Sequence, residues 1–135
     1  MLKLIIGVKG TGKTKALINL VNTAVDNSRG DVVCIEKGTK LRYDVKYQAR
    51  LIDTNEYAVA DANTLYGFVA GILASNHDVT DLFIDSALKI CQNDTAAFDK
   101  FVDAVNVLIE NLDVNVVMTS SIPVEEASET VKKYL

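Results

Sequence analysis

The stretch Gly7-Val8-Lys9-Gly10-Thr11-Gly12-Lys13-Thr14 constrains this chain more than any other. It satisfies the pattern GxxxxGK[ST] at every fixed position, and its surroundings are those the pattern requires. Leu2 to Ile6 is an apolar run broken only by Lys3, as in a strand buried on both faces. After the loop, Ala16, Leu17, Leu20, Val21, Ala24 and Val25 recur at spacings of three and four, which predicts an amphipathic helix from Lys13 to about Asn27. Strand, glycine-rich loop and helix in that order build a cradle for phosphate. The glycines let the backbone curl so that successive N–H groups point inward. The helix N-terminus adds about half a positive charge. Lys13 can reach the β- and γ-phosphates, and Thr14 offers a hydroxyl to Mg²⁺, an ion that takes few protein ligands and keeps several waters. The expected nucleotide contacts are Gly7 to Thr14 together with Lys15, which follows the motif.

At 135 residues the chain is long enough for one domain with a real core, and we expect residues 1–135 to form a single unit. With 49% hydrophobic and 24% charged residues it falls outside the disordered, collagen-like and disulfide-rich classes. The longest apolar stretch, Leu65 to Ala74, is interrupted by Gly67 and Gly71 and is too short to span a bilayer. The opening MLKLIIGV passes directly into the loop, so the expectation is a cytoplasmic protein with no membrane partner. Cys34 and Cys91 lack CxxC spacing and fit a reducing compartment as small packed side chains.

Charge is divided unevenly. Residues 1–50 carry a balance of +6 and residues 51–135 one of −10, for a net −4. A chain this acidic is a poor general nucleic-acid binder, although the basic half can attract one anionic ligand.

Short apolar runs alternate with helical periodicity, predicting a three-layer α/β sandwich around a mainly parallel sheet. Val32 to Ile35 is the second strand; Leu82 to Ile84 is a third, ending at Asp85; Val114 to Met118 is a fourth. Asp61 is placed to cap a helix carrying Leu65, Phe68, Val69, Ile72 and Leu73. A further helix uses Phe98 through Leu112, and Pro123 opens a last one carrying Ala127 and Val131. Between Leu41 and Leu51 apolar or small residues fall on odd numbers, with Lys40, Arg42, Asp44, Lys46, Gln48 and Arg50 between them, which predicts a hairpin or short edge strands.

Asp81-Leu82-Phe83-Ile84-Asp85, taken with the glycine loop, resembles the two signature motifs of the P-loop NTPase superfamily, Walker A and Walker B. That resemblance implies that Asp85 helps hold Mg²⁺ with Thr14; the competing reading is a helix cap beside Ser86. Many members place a glutamate directly after the strand aspartate, where this chain has Ser86. The RecA-like branch, which includes the pilus-retraction and secretion ATPases, instead carries it at the end of the strand after the P-loop helix. Glu36 stands there, in Val33-Cys34-Ile35-Glu36-Lys37, either as general base or as a solvated loop carboxylate. Thr119 or Ser120, after the fourth strand, corresponds to a γ-phosphate sensor, or else caps the following helix. The branch implies a core strand order of 1-4-3-2 with a fifth strand outside strand 1. No segment here supplies that fifth strand, so Leu2 to Ile6 is expected at a sheet edge, open to self-association or to cover by a hairpin.

Three functions fit these residues. The first is a small ATPase using Mg²⁺ and ATP or another nucleoside triphosphate, with Lys13 and Glu36 catalytic. The second is a nucleoside or nucleotide kinase, since thymidine kinases share the RecA-like core. The third is a nucleotide-dependent regulatory module with little turnover. The basic segment Lys37 to Arg50, with Tyr43 and Tyr47, is a lid over the phosphates, a nucleic-acid contact or a solvated face.

Overall fold

A computed structural model describes all residues, Met1 to Leu135. Five strands, β1 (Leu2–Ile6), β2 (Asp31–Glu36), β3 (Arg50–Asp53), β4 (Val79–Ile84) and β5 (Asn115–Ser120), form one sheet in the order β1-β5-β4-β2-β3. Every adjacent pair is parallel. The helices are α1 (Lys13–Asn27), α2 (Ala62–Ser75), α3 (Ala87–Ile90), α4 (Thr95–Ile109) and α5 (Glu129–Lys132). None is long and apolar enough to cross a membrane.

The three central strands are apolar on both sides because each side has its own helical layer. Val33 and Ile35 of β2, Leu82 and Ile84 of β4, and Val116 and Met118 of β5 join a core of 28 buried residues shared with α2, α3, α4 and α5. The alternate residues Val32, Cys34, Phe83 and Val117 join a second core of nine, built with Leu17 and Val21 of α1. Strand periodicity of two therefore divides a continuous apolar run between two layers. Asp61 caps α2 as expected: its carboxylate accepts the Thr64 amide at 2.8 Å while Thr64 Oγ1 accepts the Asp61 amide at 3.2 Å, a capping box.

Three expectations change. Leu41 to Ala49 is neither hairpin nor strand but a series of turns. Leu41, Val45 and Ala49 are buried in the α1-side core, whereas Tyr43 and Tyr47 are exposed. The spacing that matters is four, and it hides inside a spacing of two. Only Arg50 to Asp53 is strand, and it extends the sheet beside β2. Pro123 precedes a single 3-10 turn, Val124–Glu126, and Ser128 begins the separate α5 by accepting the Val131 amide at 3.1 Å. The fifth strand thus lies at the β2 edge, not outside β1.

β1 is an edge strand, as expected, with β5 as its neighbour. Its cover is neither a hairpin nor a second strand. The amide of Leu4 donates to the Tyr134 carbonyl at 2.8 Å, and Tyr134 is itself held by its hydroxyl on Asp103 at 2.8 Å. The chain's own C-terminal turn blunts the edge at that point.

Candidate nucleotide site

The parallel sheet lines up the C-terminal ends of its strands, and the register puts four polar side chains in one row. Asp53 is level with Glu36 across β3 and β2. Ile35 is level with Ile84 and Ile84 with Met118, so the next residues, Glu36, Asp85 and Thr119, continue the row across β4 and β5. Each follows by two a residue packed on the α1 side, Leu51, Cys34, Phe83 and Val117, and so shares that face. The glycine loop enters α1 over the same face.

The loop has the backbone that its glycines predict. Gly10 and Gly12 take φ of 87° and 85°, a left-handed region that side chains disfavour. Gly12 is the N-cap of α1 and supplies no side-chain cap, so the first-turn amides have no side-chain acceptor. Thr11 Oγ1 and Lys13 Nζ both donate to the Val8 carbonyl, at 2.8 and 2.9 Å. Lys13 is thereby folded back along its own loop.

Thr14, at the start of α1, meets Asp85, just beyond β4. Its hydroxyl oxygen lies 3.1 and 3.4 Å from the two carboxylate oxygens. Asp85 is fixed from two further sides: its amide donates to Ile35 O at 2.9 Å, and Thr119 Oγ1 donates to its Oδ1 at 2.8 Å. Thr119 in turn accepts the Ser86 amide at 2.8 Å. The Asp85 carboxylate therefore spends its bonds on the two threonines and not on capping α3, whose N-cap Ser86 sits at φ 55°. Thr119 is separated from Ser120 by the same geometry. Ser120 turns away, accepting the Leu88 amide at 3.2 Å, while Thr119 points to the acidic strand.

Glu36 is no solvated loop carboxylate. It is 3% exposed, and its two oxygens accept the amides of Lys40 at 3.0 Å and Leu41 at 3.3 Å. Burial pushes its carboxyl above the ordinary range; the two amides oppose that, and the neighbouring Asp85 and Asp53 carboxylates add to it. Cys34, two residues earlier on the same face, is pushed up to about 12 by burial and then by Glu36 and Asp85.

A cavity of about 500 Å³ opens over the Asp85–Thr119 end of this row, lined by Lys9, Gly10, Gly12, Lys13, Thr14, Lys15, Lys40, Asp85, Ser86, Lys89, Asn93, Thr119 and Ser121 among others; Glu36 and Asp53 do not line it. Five lysines and one aspartate give it a cationic wall. Of the basic segment only Lys40 reaches that wall. Arg42 stacks on the Tyr43 ring at 4.8 Å, and Lys46 pairs with Asp26 of α1 at 2.6 Å. Nothing local in the sequence marks Lys89, Asn93 or Asp53; the row and the wall exist only once the strands are ordered. A larger hollow of about 610 Å³, holding the single histidine, His77, opens at the opposite strand ends, away from the glycine loop.

No group of three or more His, Cys, Asp or Glu side chains is placed to hold a metal. The donors present are one hydroxyl and one carboxylate in contact, hard oxygens that fit Mg²⁺ with water completing its shell.

No protein-family model and no curated protein matches the chain. Among solved structures, a KaiC-like protein from the hyperthermophilic archaeon Pyrococcus horikoshii superposes with a TM-score of 0.71 at 15% identity. The match covers 98% of this chain and 66% of that one, so the chain spans just under two thirds of its length. At this identity the likeness is one of fold, a RecA-like P-loop α/β sheet.

Proposed function

We propose that the chain binds a nucleoside triphosphate, ATP first, with Mg²⁺, and hydrolyses it slowly. One observation carries this reading: the hydroxyl of Thr14 and the carboxylate of Asp85, 71 residues apart in sequence, meet beside the glycine loop, with Thr119 fixing the carboxylate. The loop amides and Lys13 then receive the phosphates once Lys13 releases the Val8 carbonyl. Thr14 and Asp85 would hold Mg²⁺, which neutralises phosphate charge when bound. Lys13 and the amides stabilise charge on the transferring phosphoryl group, and Glu36, next to Asp85 in the row, is the candidate to orient water. A cytoplasmic setting belongs to the same proposal, as does self-association along the part of β1 that Tyr134 leaves open.

A second reading, a regulatory module with little turnover, is favoured by the hydrogen bonds that already occupy both Glu36 oxygens. Titration of ATP and GTP with Mg²⁺ against wild type and Lys13→Ala, with phosphate release followed on the same samples, separates the readings. Binding lost in Lys13→Ala with phosphate released by wild type supports hydrolysis; binding without release selects the regulatory module. If neither nucleotide binds, the loop is scaffold and the proposal fails.

A further inference from the structure

The turn that follows β2 is fastened in a way that a surface loop does not need. Its first residue after Glu36 is exposed, yet three of its amides are held by two carboxylates at strand ends. Glu36 takes the amides of Lys40 and Leu41, and Asp53, at the end of β3, takes the amide of Gly38 at 2.8 Å. Gly38 adopts φ 110°, a bend that side chains disfavour. Leu41 is then driven into the α1-side core at 3% exposure. Beyond it, Asn22 of α1 accepts the Lys46 amide and donates to the Asp44 carbonyl, both at 2.9 Å. With Gly38, Leu41 and Asp44 all fixed, the backbone at Lys40 has little freedom, and Lys40 lines the cavity that Lys13, Thr14 and Asp85 also line.

Position along the sheet says which phosphate this cation would meet. The glycine loop leaves β1, at one sheet edge, and Asp85 stands on β4. Lys40 comes from β2, on the far side of Asp85 from the loop. A phosphate chain that starts in the loop and passes the Thr14–Asp85 pair ends toward Lys40. We infer that Lys40 contacts the terminal phosphate of a bound triphosphate, and that Glu36 and Asp53 act as positioning residues holding the turn that presents it. The inference rests on the nucleotide-binding reading above and adds that the site distinguishes triphosphate from diphosphate. It assigns Glu36 a task that its oxygens already perform, alongside any part it plays with water.

The experiment is calorimetric titration of Mg·ATP and Mg·ADP into the full chain and its Lys40→Ala, Lys40→Arg, Asp53→Ala and Asp53→Asn variants, with Lys13→Ala as reference. A charged donor on a phosphate corresponds to about 10- to 100-fold in affinity. Lys40→Ala should therefore weaken ATP by about that factor and leave ADP within about 2-fold. Lys40→Arg keeps the charge and should retain most of the ATP preference. Asp53→Ala, one turn removed from the ligand, should shift the ATP-to-ADP ratio in the same direction. Asp53→Asn retains an acceptor for Gly38 and should restore it, which a general loss of folding would not reproduce. Lys13→Ala should weaken both nucleotides. If wild type binds both and Lys40→Ala leaves their ratio unchanged, Lys40 has no such role while the nucleotide-binding reading stands. If wild type binds neither, both are overturned.

Discussion

Replacing Glu36 in two ways separates its charge from its hydrogen bonds. Glu36→Ala strips the acceptor from the Lys40 and Leu41 amides. The Leu41 bond is buried, so water cannot stand in there, while the Lys40 bond is only partly so. An unsatisfied buried donor costs about 1–3 kcal/mol and a bond to a charged acceptor contributes about 1.5–3 kcal/mol. Counting the first amide fully and the second in part gives a loss of about 2–4 kcal/mol. For a chain of this size that is on the order of 10 °C in Tm. Glu36→Gln keeps the shape and one acceptor oxygen while removing a charge that burial, Asp85 and Asp53 all disfavour. Its NH2 cannot accept, so with the oxygen turned to the buried Leu41 amide the partly buried Lys40 amide loses its acceptor. The variant should lose about 1–2 kcal/mol near neutral pH, less than Glu36→Ala.

The same pair of variants fixes the sign of the pH dependence. The folded Glu36 pKa lies above its ordinary value of 4.5, so over that interval the native state holds a proton that the unfolded chain has released. Its contribution to stability is full below the unfolded pKa and is lost as pH rises through the folded one. Glu36→Gln cannot titrate, so its stability relative to wild type should rise with pH from about 4.5 toward neutrality. Urea denaturation at several pH values, with linear extrapolation, measures both effects. Glu36→Ala as stable as Glu36→Gln, or a Gln-minus-wild-type difference that falls as pH rises, would refute the reasoning.

Three other perturbations follow from the contacts described. Thr119→Val keeps the volume but removes the donor to Asp85 and the acceptor for the Ser86 amide; it should cost about 1–3 kcal/mol in denaturant and also weaken Mg-dependent nucleotide binding in the calorimeter. Phe98, 1% exposed in the larger core, should cost about 3–5 kcal/mol as Phe98→Ala in the same denaturation assay. Cys34 and Cys91 are both buried and pushed up to about 12, so an aromatic disulfide reagent near pH 8 should label neither in the native protein and both after unfolding.

Much of this architecture is local information. The glycine loop, the strand before it and the helix after it are legible because each follows from residues adjacent in sequence: φ-permissive glycines, a double-faced apolar strand, a stripe at three and four. Asp85 and Glu36 stand out for the same reason, as single charges that terminate apolar runs. The sequence was ambiguous where two periods coincide. Leu41, Val45 and Ala49 satisfy both an alternation of two and a spacing of four, and the burial of Leu41 against α1 decides between them. Thr119 and Ser120 are adjacent and chemically alike, so only the side of the sheet each faces assigns one to Asp85 and the other to α3.

By itself, then, the sequence determined the strand, glycine loop and helix at its start and the α/β class, because backbone conformation and hydrophobic period are properties of short segments. Tertiary structure alone decided that β3 extends the β2 edge, that Tyr134 blunts the β1 edge, that Asp53, Glu36, Asp85 and Thr119 stand in one row, and that Lys40 lines the cavity over Asp85 and Thr119. Those relations join residues far apart in the chain, and they come into being when long-range strand register is set, which no local pattern encodes.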